Sequence, residues 1–256
     1  MKIEGIFFDM GGTLDLYPTS EKGVQNACLK MKRMLEAAGA DQISRYSETE
    51  FQKMIVNGLK KYKNWRQGQA DIELPPEKIF NDFVLTGTGV DPGIINTIGE
   101  ELAFLVDTDF HDRIPRPEAA EVVKALKERG IRLGIISNVI SRTQVGYSLK
   151  KYGLNEYFDP IALSSVLGKR KPHPAIFNYA FQTAKIDPSH LIFVGNSPVK
   201  DIAGAKNAGV GKTVYIEYGE TPADELGSVA ADYNIKNLRE LIVIIDELGS
   251  SFNKYN

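Results

Sequence analysis

The chain has 256 residues, 43% hydrophobic and 25% charged, and its 31 basic and 33 acidic side chains leave a formal charge of −2. This ordinary globular balance excludes disorder as the main state, and at roughly 100 to 200 residues per domain it suits one large domain or a core with a smaller companion. A single cysteine, Cys28, excludes an intrachain disulfide and a cysteine-rich metal site, and no apolar run approaches the ~18 residues of a membrane span, so a cytoplasmic protein without signal peptide or anchor is expected.

Ile3 to Phe8 is short, apolar and β-prone and stops at Asp9-Met10-Gly11-Gly12-Thr13, the pattern of a buried strand running into a loop. From about Glu21 to Asp107 the texture becomes helical, with helices predicted over Val24 to Ala38, Glu48 to Tyr62, Pro76 to Leu85 and Pro92 to Val106. Residues 18 to 105 carry 11 basic and 12 acidic side chains, so no basic stripe exists for a nucleic acid partner.

After Pro115 strands and helices alternate: helix Pro117 to Arg129, strand Ile131 to Ile136, helix Arg142 to Tyr152, strand Ile161 to Leu163, helix Pro174 to Ala184, strand Leu191 to Val194, helix Val199 to Ala208, strand Thr213 to Glu217. That alternation predicts an α/β fold, a parallel Rossmann-like sheet with helices on both faces, interrupted by an all-helical second domain. The expected division is residues 1–17 and 108–256 for the core and 18–107 for the helical insert.

Ligands of such sheets bind beyond the carboxyl ends of the strands. Asp9, Ser137-Asn138 and Asn196 each follow a short apolar strand there. Each also has a local reading: Asp9 as a turn residue, Ser137-Asn138 as a helix cap, Lys171 as a solvated loop charge, Asp201 as a first-turn acid. Together they supply an acid nucleophile, a hydroxyl and amide, a lysine and further oxygen ligands, the parts needed for phosphoryl transfer.

Four ordered segments carry a resemblance: Phe8-Asp9-Met10-Gly11-Gly12-Thr13-Leu14, Ile136-Ser137-Asn138, Lys171-Pro172-His173-Pro174, and Val194-Gly195-Asn196 through Asp201-Ile202-Ala203-Gly204-Ala205. The chain resembles the haloacid dehalogenase superfamily over its whole length, and the insert resembles that family's helical cap. The resemblance implies that Asp9 is the nucleophile and forms an aspartyl-phosphate, with Ser137 and Lys171 assisting catalysis. It implies phosphate contacts from Gly12, Thr13, Ser137, Asn138 and Lys171, Thr13 also ordering the loop. It further implies Mg²⁺ held by Asp9, the Gly11 carbonyl, Asn196 and Asp201. The expected activity is a phosphatase acting on a small phosphorylated metabolite, with no membrane partner and no oligomeric state fixed by the sequence.

Two positions depart from the family pattern. Gly11 stands where its phosphatases usually carry a second aspartate for acid–base work, and Asn196 where an acid often binds the metal. General acid–base help is typically worth 10²- to 10⁴-fold, so slow turnover is expected. Asp15, six residues after Asp9, reads as a surface acid. Metal-free dehalogenases and phosphonate-cleaving relatives also lack the second aspartate, the latter adding a cap lysine; Lys53, Lys60, Lys61 and Lys63 are available but read as a solvated helix face. A phosphate-binding protein without turnover is the reading from another class. Gly211-Lys212-Thr213 lacks the upstream glycine of a P-loop, His173 reads as a loop residue, and Tyr62, Trp65 and Arg66 read as helical core with a second possibility of facing the site.

Overall fold

Strand β1 (Gly5–Phe8) is buried on both faces because its side chains alternate: Ile6 and Phe8 enter one apolar cluster and Phe7 another. The computed structural model describes residues 2–69, 71–219 and 229–253. Strand β2 (Asp15–Leu16) and helix α1 (Glu21–Ala37) follow β1, and β3 (Ile114–Pro115) pairs antiparallel with β2. The main sheet adds β4 (Arg132–Ser137), β5 (Phe158–Leu163), β6 (Leu191–Gly195), β7 (Lys212–Ile216) and β8 (Tyr233–Ile235). Its order is β5-β4-β1-β6-β7-β8, and every neighbour is parallel. After β5 the chain returns to the other side of β1, so the switch point lies beside β1, and the strand ends there define a crevice.

One face is covered by α5 (Ala119–Glu128), α6 (Gln144–Lys151) and α10 (Glu240–Asn253), which bring Val122, Leu126, Leu149 and Leu241 against Ile6 and Phe8. The other is covered by α8 (Pro174–Ala184) and the short α9 (Gly204–Asn207), whose Phe177, Phe181 and Ala205 pack on Phe7 and Phe193. Each fully buried residue of this size contributes roughly 1.5 to 3 kcal/mol.

Between β2 and β3, α1 packs with α2 (Glu48–Gln67), α3 (Pro76–Ile79) and α4 (Pro92–Asp109) around a separate cluster that includes Met31, Leu35, Phe51, Ile55, Phe80 and Leu102. Their starts follow local chemistry. Ser20 accepts from Gly23 N–H, Ser47 and Glu50 form a reciprocal capping box, and Asp91 caps a helix with Pro92 in its first position. A third crossing, an isolated antiparallel bridge between Ile72 and Lys169, ties this helical segment to the sheet-bearing part away from its two ends.

Several element boundaries differ from expectation. The predicted helix from Val199 is a wide π turn, Pro198–Ala203, leading into α9, and Pro76 to Leu85 likewise splits into α3 and a π turn, Phe80–Val84. Strands β2, β3 and β8 and helices α7 (Ser164–Leu167) and α10 have no counterpart in the sequence reading. The strands are two or three residues long, too short for a period to show. No described helix is long and apolar enough to cross a membrane.

Candidate active site

Asp9 follows β1 directly, and its backbone N–H donates to Val194 of β6 at 2.9 Å, which extends the sheet to the crevice floor. Its Oδ1 accepts from Lys171 Nζ at 2.7 Å and from Ser137 Oγ at 3.4 Å, so the end of β4 and the segment after β5 meet the residue after β1 at one oxygen. Asn138 makes no such contact. Its amide nitrogen donates to the Lys171 carbonyl at 3.0 Å and its amide oxygen accepts from the Lys171 N–H at 2.9 Å, a brace that fixes the lysine's backbone.

Lys171 is almost fully enclosed and sits 2.7 Å from Asp201 Oδ1 as well as from Asp9. Burial drives its ammonium toward the neutral form, but the Asp201 and Asp9 carboxylates more than reverse this and hold it above the ordinary lysine value. The Asp201 carboxyl is raised by its own burial, Lys171 opposing and Asp9 adding to the shift. Asp201 Oδ2 accepts the Asn196 and Ser197 N–H groups at 3.1 and 2.9 Å. Gly195 allows this approach: a Cβ there would lie 2.4 Å from the Asp201 Cβ.

Among the described residues no group of three or more His, Cys, Asp or Glu is placed to hold a metal. A set of mixed oxygens nevertheless converges. The Asn196 amide end lies 3.0 Å from the Gly11 carbonyl oxygen and 3.2 Å from Asp9 Oδ2. Ligands on adjacent corners of a magnesium octahedron with bonds of about 2.1 Å stand about 3.0 Å apart, so both spacings from the Asn196 amide suit neighbouring ligands of one ion. With its nitrogen turned toward the same two oxygens, Asn196 donates to both and closes the site without a cation. Gly12 makes room for that amide: at φ +82° its missing Cβ would lie 2.6 Å from the Asn196 side chain. Asp201 is less available to a metal, because Lys171 and two backbone amides occupy both of its oxygens.

Gly11 faces Tyr17, a residue that the sequence reading missed. A Cβ on Gly11 would lie 3.0 Å from Tyr17 Cε1 and 3.2 Å from Cδ1, so an aromatic edge fills the space a side chain would enter. The ring is held by Tyr218 at 5.1 Å, His111 at 5.4 Å and the Arg113 guanidinium at 5.3 Å. Burial first, and then the charge of Asp9, push the Tyr17 hydroxyl up to about 12. Asp15 is not the surface acid expected. It is fully buried, receives two hydrogen bonds from Arg113 at 3.0 Å and one from Tyr152 at 3.1 Å, and lies off the cavity wall. The short β2–β3 ladder carries its side chain inward, where only a cation could balance it.

A cavity of about 560 Å³ opens over Asp9 and takes in Gly11, Ser137, Asn138, Lys171, Asn196 and Asp201 from the predicted set. Gly12 and Thr13 are not on its wall; Thr13 is enclosed beneath the loop. Among the lysines expected on a solvated face, Lys63 lines the cavity, with Arg66 one turn further along α2, whereas Lys53, Lys60 and Lys61 do not. Tyr62 and Trp65 belong to the helical cluster, their rings stacked at 5.8 Å. His173 accepts from the Ala175 N–H and caps α8.

Acids of the helical segment also grip the loops beneath it. Glu100 accepts from Ser141, Arg142 and Thr143, Glu77 holds Arg142 through two bonds of 2.7 and 2.8 Å, and Asp107 accepts the Ile140 and Ser141 N–H groups. No local sequence signal marks these acids, since each partner lies more than 30 residues away.

The family model of the haloacid dehalogenase-like hydrolases matches residues 3–209. The chain belongs to that family and is a hydrolase. It is 27% identical over 249 residues to the glyceraldehyde 3-phosphate phosphatase of Methanopyrus kandleri, covering 96% of this chain and 99% of the relative. It is 32% identical over 137 residues to the pyrophosphatase PpaX of Halalkalibacterium halodurans, covering 53% of this chain and 62% of that one. The crystal structure of a 2-haloacid dehalogenase from Pseudomonas syringae pv. Tomato shares the fold, with a TM-score of 0.67 at 21% identity, 96% of this chain and 99% of that chain being covered.

Proposed function

We propose that this chain is a magnesium-dependent phosphatase for small phosphorylated molecules that works through an aspartyl-phosphate on Asp9. The observation carrying the reading is the Asp9 carboxylate on the cavity floor with Lys171 Nζ at 2.7 Å and Ser137 Oγ at 3.4 Å. The near full-length likeness to a glyceraldehyde 3-phosphate phosphatase supports it. Residues 18–107 serve in this reading as a cap that encloses the substrate over Asp9 while leaving water access to the phosphoryl group.

Asp9 Oδ1, on the side of Lys171 and Ser137, attacks phosphorus while the ester P–O bond breaks and its electron pair leaves on the alcohol oxygen. Lys171 and Ser137 donate to the phosphoryl oxygens, where charge spreads in the transition state. Gly11 supplies no acid, so the leaving oxygen takes its proton from solvent, and esters of acidic alcohols react fastest. Water then attacks phosphorus, its proton passing to solvent, and the Asp9 Oδ1–P bond breaks to release inorganic phosphate and return the carboxylate. Asp9 Oδ2, the Gly11 carbonyl and Asn196 would hold Mg²⁺, with Asp201 contributing directly only on release of Lys171. When bound, the ion neutralises phosphoryl charge.

The test is phosphate release from an aryl phosphate and a panel of small phosphate esters, with Mg²⁺ or chelator, using Asp9→Asn as blank. Magnesium-dependent release abolished in the variant is expected. Release that survives in Asp9→Asn overturns the mechanism. Chloride release from a 2-haloacid in chelator would identify a dehalogenase instead, a reading that glycine in place of the acid at position 11 also suits. Aldehyde formation from a phosphonate, blocked by borohydride, would point to a cap lysine such as Lys63. Ligand-induced stabilisation without any turnover would identify a binding protein.

A further inference from the structure

We infer that the cavity takes a phosphate ester whose tail carries a second anionic group, received by Lys63 and Arg66 at the end of α2; the inference rests on the phosphoryl end binding at Asp9 as proposed above. Two guanidiniums here share one carboxylate. Arg170 Nη1 pairs with Glu73 Oε2, and Arg66 Nη1 lies 3.5 Å from Oε1. Glu73 is fully enclosed and also accepts from the Tyr62 and Ser164 hydroxyls, so its capacity is used up and one positive charge of the pair is left over.

Arg66 is the outer guanidinium, with 22% of its side chain exposed, and it is fixed over the Tyr62 ring at 5.1 Å. Its planar fork is therefore oriented before a ligand arrives and matches a carboxylate or phosphoryl group. Lys63 stands three residues earlier on the same helical face, is exposed, and has no carboxylate partner among the described residues. Asp71 and Asp107 also line the cavity, Asp107 being engaged by the Ile140 and Ser141 N–H groups, so among the described residues at this end Lys63, Arg66 and Arg170 stand against Glu73 and Asp71. Arg170 adjoins Lys171 in the chain, and both line the same cavity as Lys63, Arg66 and Asp9, so the excess positive charge and the phosphoryl end share one enclosure. A tail bearing only an aldehyde or hydroxyl, such as that of glyceraldehyde 3-phosphate, leaves that charge unanswered.

The test is calorimetric binding of three phosphonates to the full chain with Mg²⁺. Ethylphosphonate has no second anion, phosphonoacetate adds a carboxylate, and methylenediphosphonate adds a second phosphoryl group. At least one of the latter two is expected to bind roughly tenfold tighter than ethylphosphonate, and whichever does so identifies the group. Lys63→Ala, at an exposed position outside the Glu73 cluster, should remove most of that advantage while leaving ethylphosphonate within about twofold. Arg66→Gln should do the same. Equal binding of all three, or equal weakening of all three in Lys63→Ala, overturns the inference and leaves the phosphatase reading standing. Failure of every phosphonate to bind, together with absent phosphate release, overturns both.

Discussion

The Tyr17 ring edge occupies the volume that a side chain on Gly11 would enter, with Cε1 only 3.0 Å from the Cβ position. Restoring an aspartate at Gly11 alone is therefore expected to displace the ring and to bring no gain in turnover. Gly11→Asp combined with Tyr17→Ala opens the space, and its kcat on an alkyl phosphate should rise at least tenfold over the parent, within the usual range for general acid help. An aryl phosphate, whose leaving group needs no proton, should respond little. A Gly11→Asp single variant as active as the double one would show that the ring is no obstacle.

Removing the Lys171 ammonium leaves Asp9 and Asp201 facing each other in an enclosed site. Lys171→Met should lower phosphate release by two orders of magnitude or more and cost about 3 kcal/mol of stability. Denaturant melts and single-turnover rates read the two effects separately. A variant with unchanged stability would mean that the carboxylates are balanced by something else.

Asn196 closes the site by donating to the Gly11 carbonyl and Asp9 Oδ2, which a carboxylate cannot do. Asn196→Asp should thus destabilise the metal-free protein by about 1 to 3 kcal/mol. It should also lower the Mg²⁺ concentration giving half-maximal activity by about tenfold, since one more negative charge faces the ion. Thermal shifts with Mg²⁺ and with chelator report both directions, and an unchanged magnesium dependence would remove Asn196 from the ligand set.

Asp107 accepts the Ile140 and Ser141 N–H groups at 2.9 and 2.8 Å, and burial pushes its carboxyl up to about 6. Between pH of about 4 and about 6 the folded chain holds this proton more tightly than the unfolded chain. The stability it contributes is therefore complete below pH of about 4 and is lost as pH rises through about 6. Asp107→Asn keeps an oxygen for both amides and should stabilise the protein at pH 7 by about 1 to 2 kcal/mol, the gain fading toward pH 4. A stability difference that stays constant from pH 4 to 7 would contradict the assignment.

The sheet was readable because its central strands are continuous apolar runs, as in Phe7-Phe8 and Leu191 to Val194, and the strand-end positions of Asp9 and Ser137 followed from them. Asn196 and Lys171 were legible through motif order. What the sequence hid was everything set by distant pairing. Asp15 looked like an exposed acid until Arg113, 98 residues later, was placed against it. Tyr17 carries no local mark of its contact with Gly11, and Lys63 looks like any lysine on a charged helix until the face it shares with Arg66 is oriented. The π turn at Pro198–Ala203 was read as plain helix because a period of 3.6 does not announce one inserted residue.

The two-residue ladder of Asp15–Leu16 with Ile114–Pro115 sets the outgoing and returning chain side by side. An excursion whose ends already touch imposes almost no spacing requirement on what lies between them, so stretches of it away from Ile72, Glu73, Glu77, Glu100 and Asp107, which hold the loops beside the sheet, can lengthen or shorten without moving the strands.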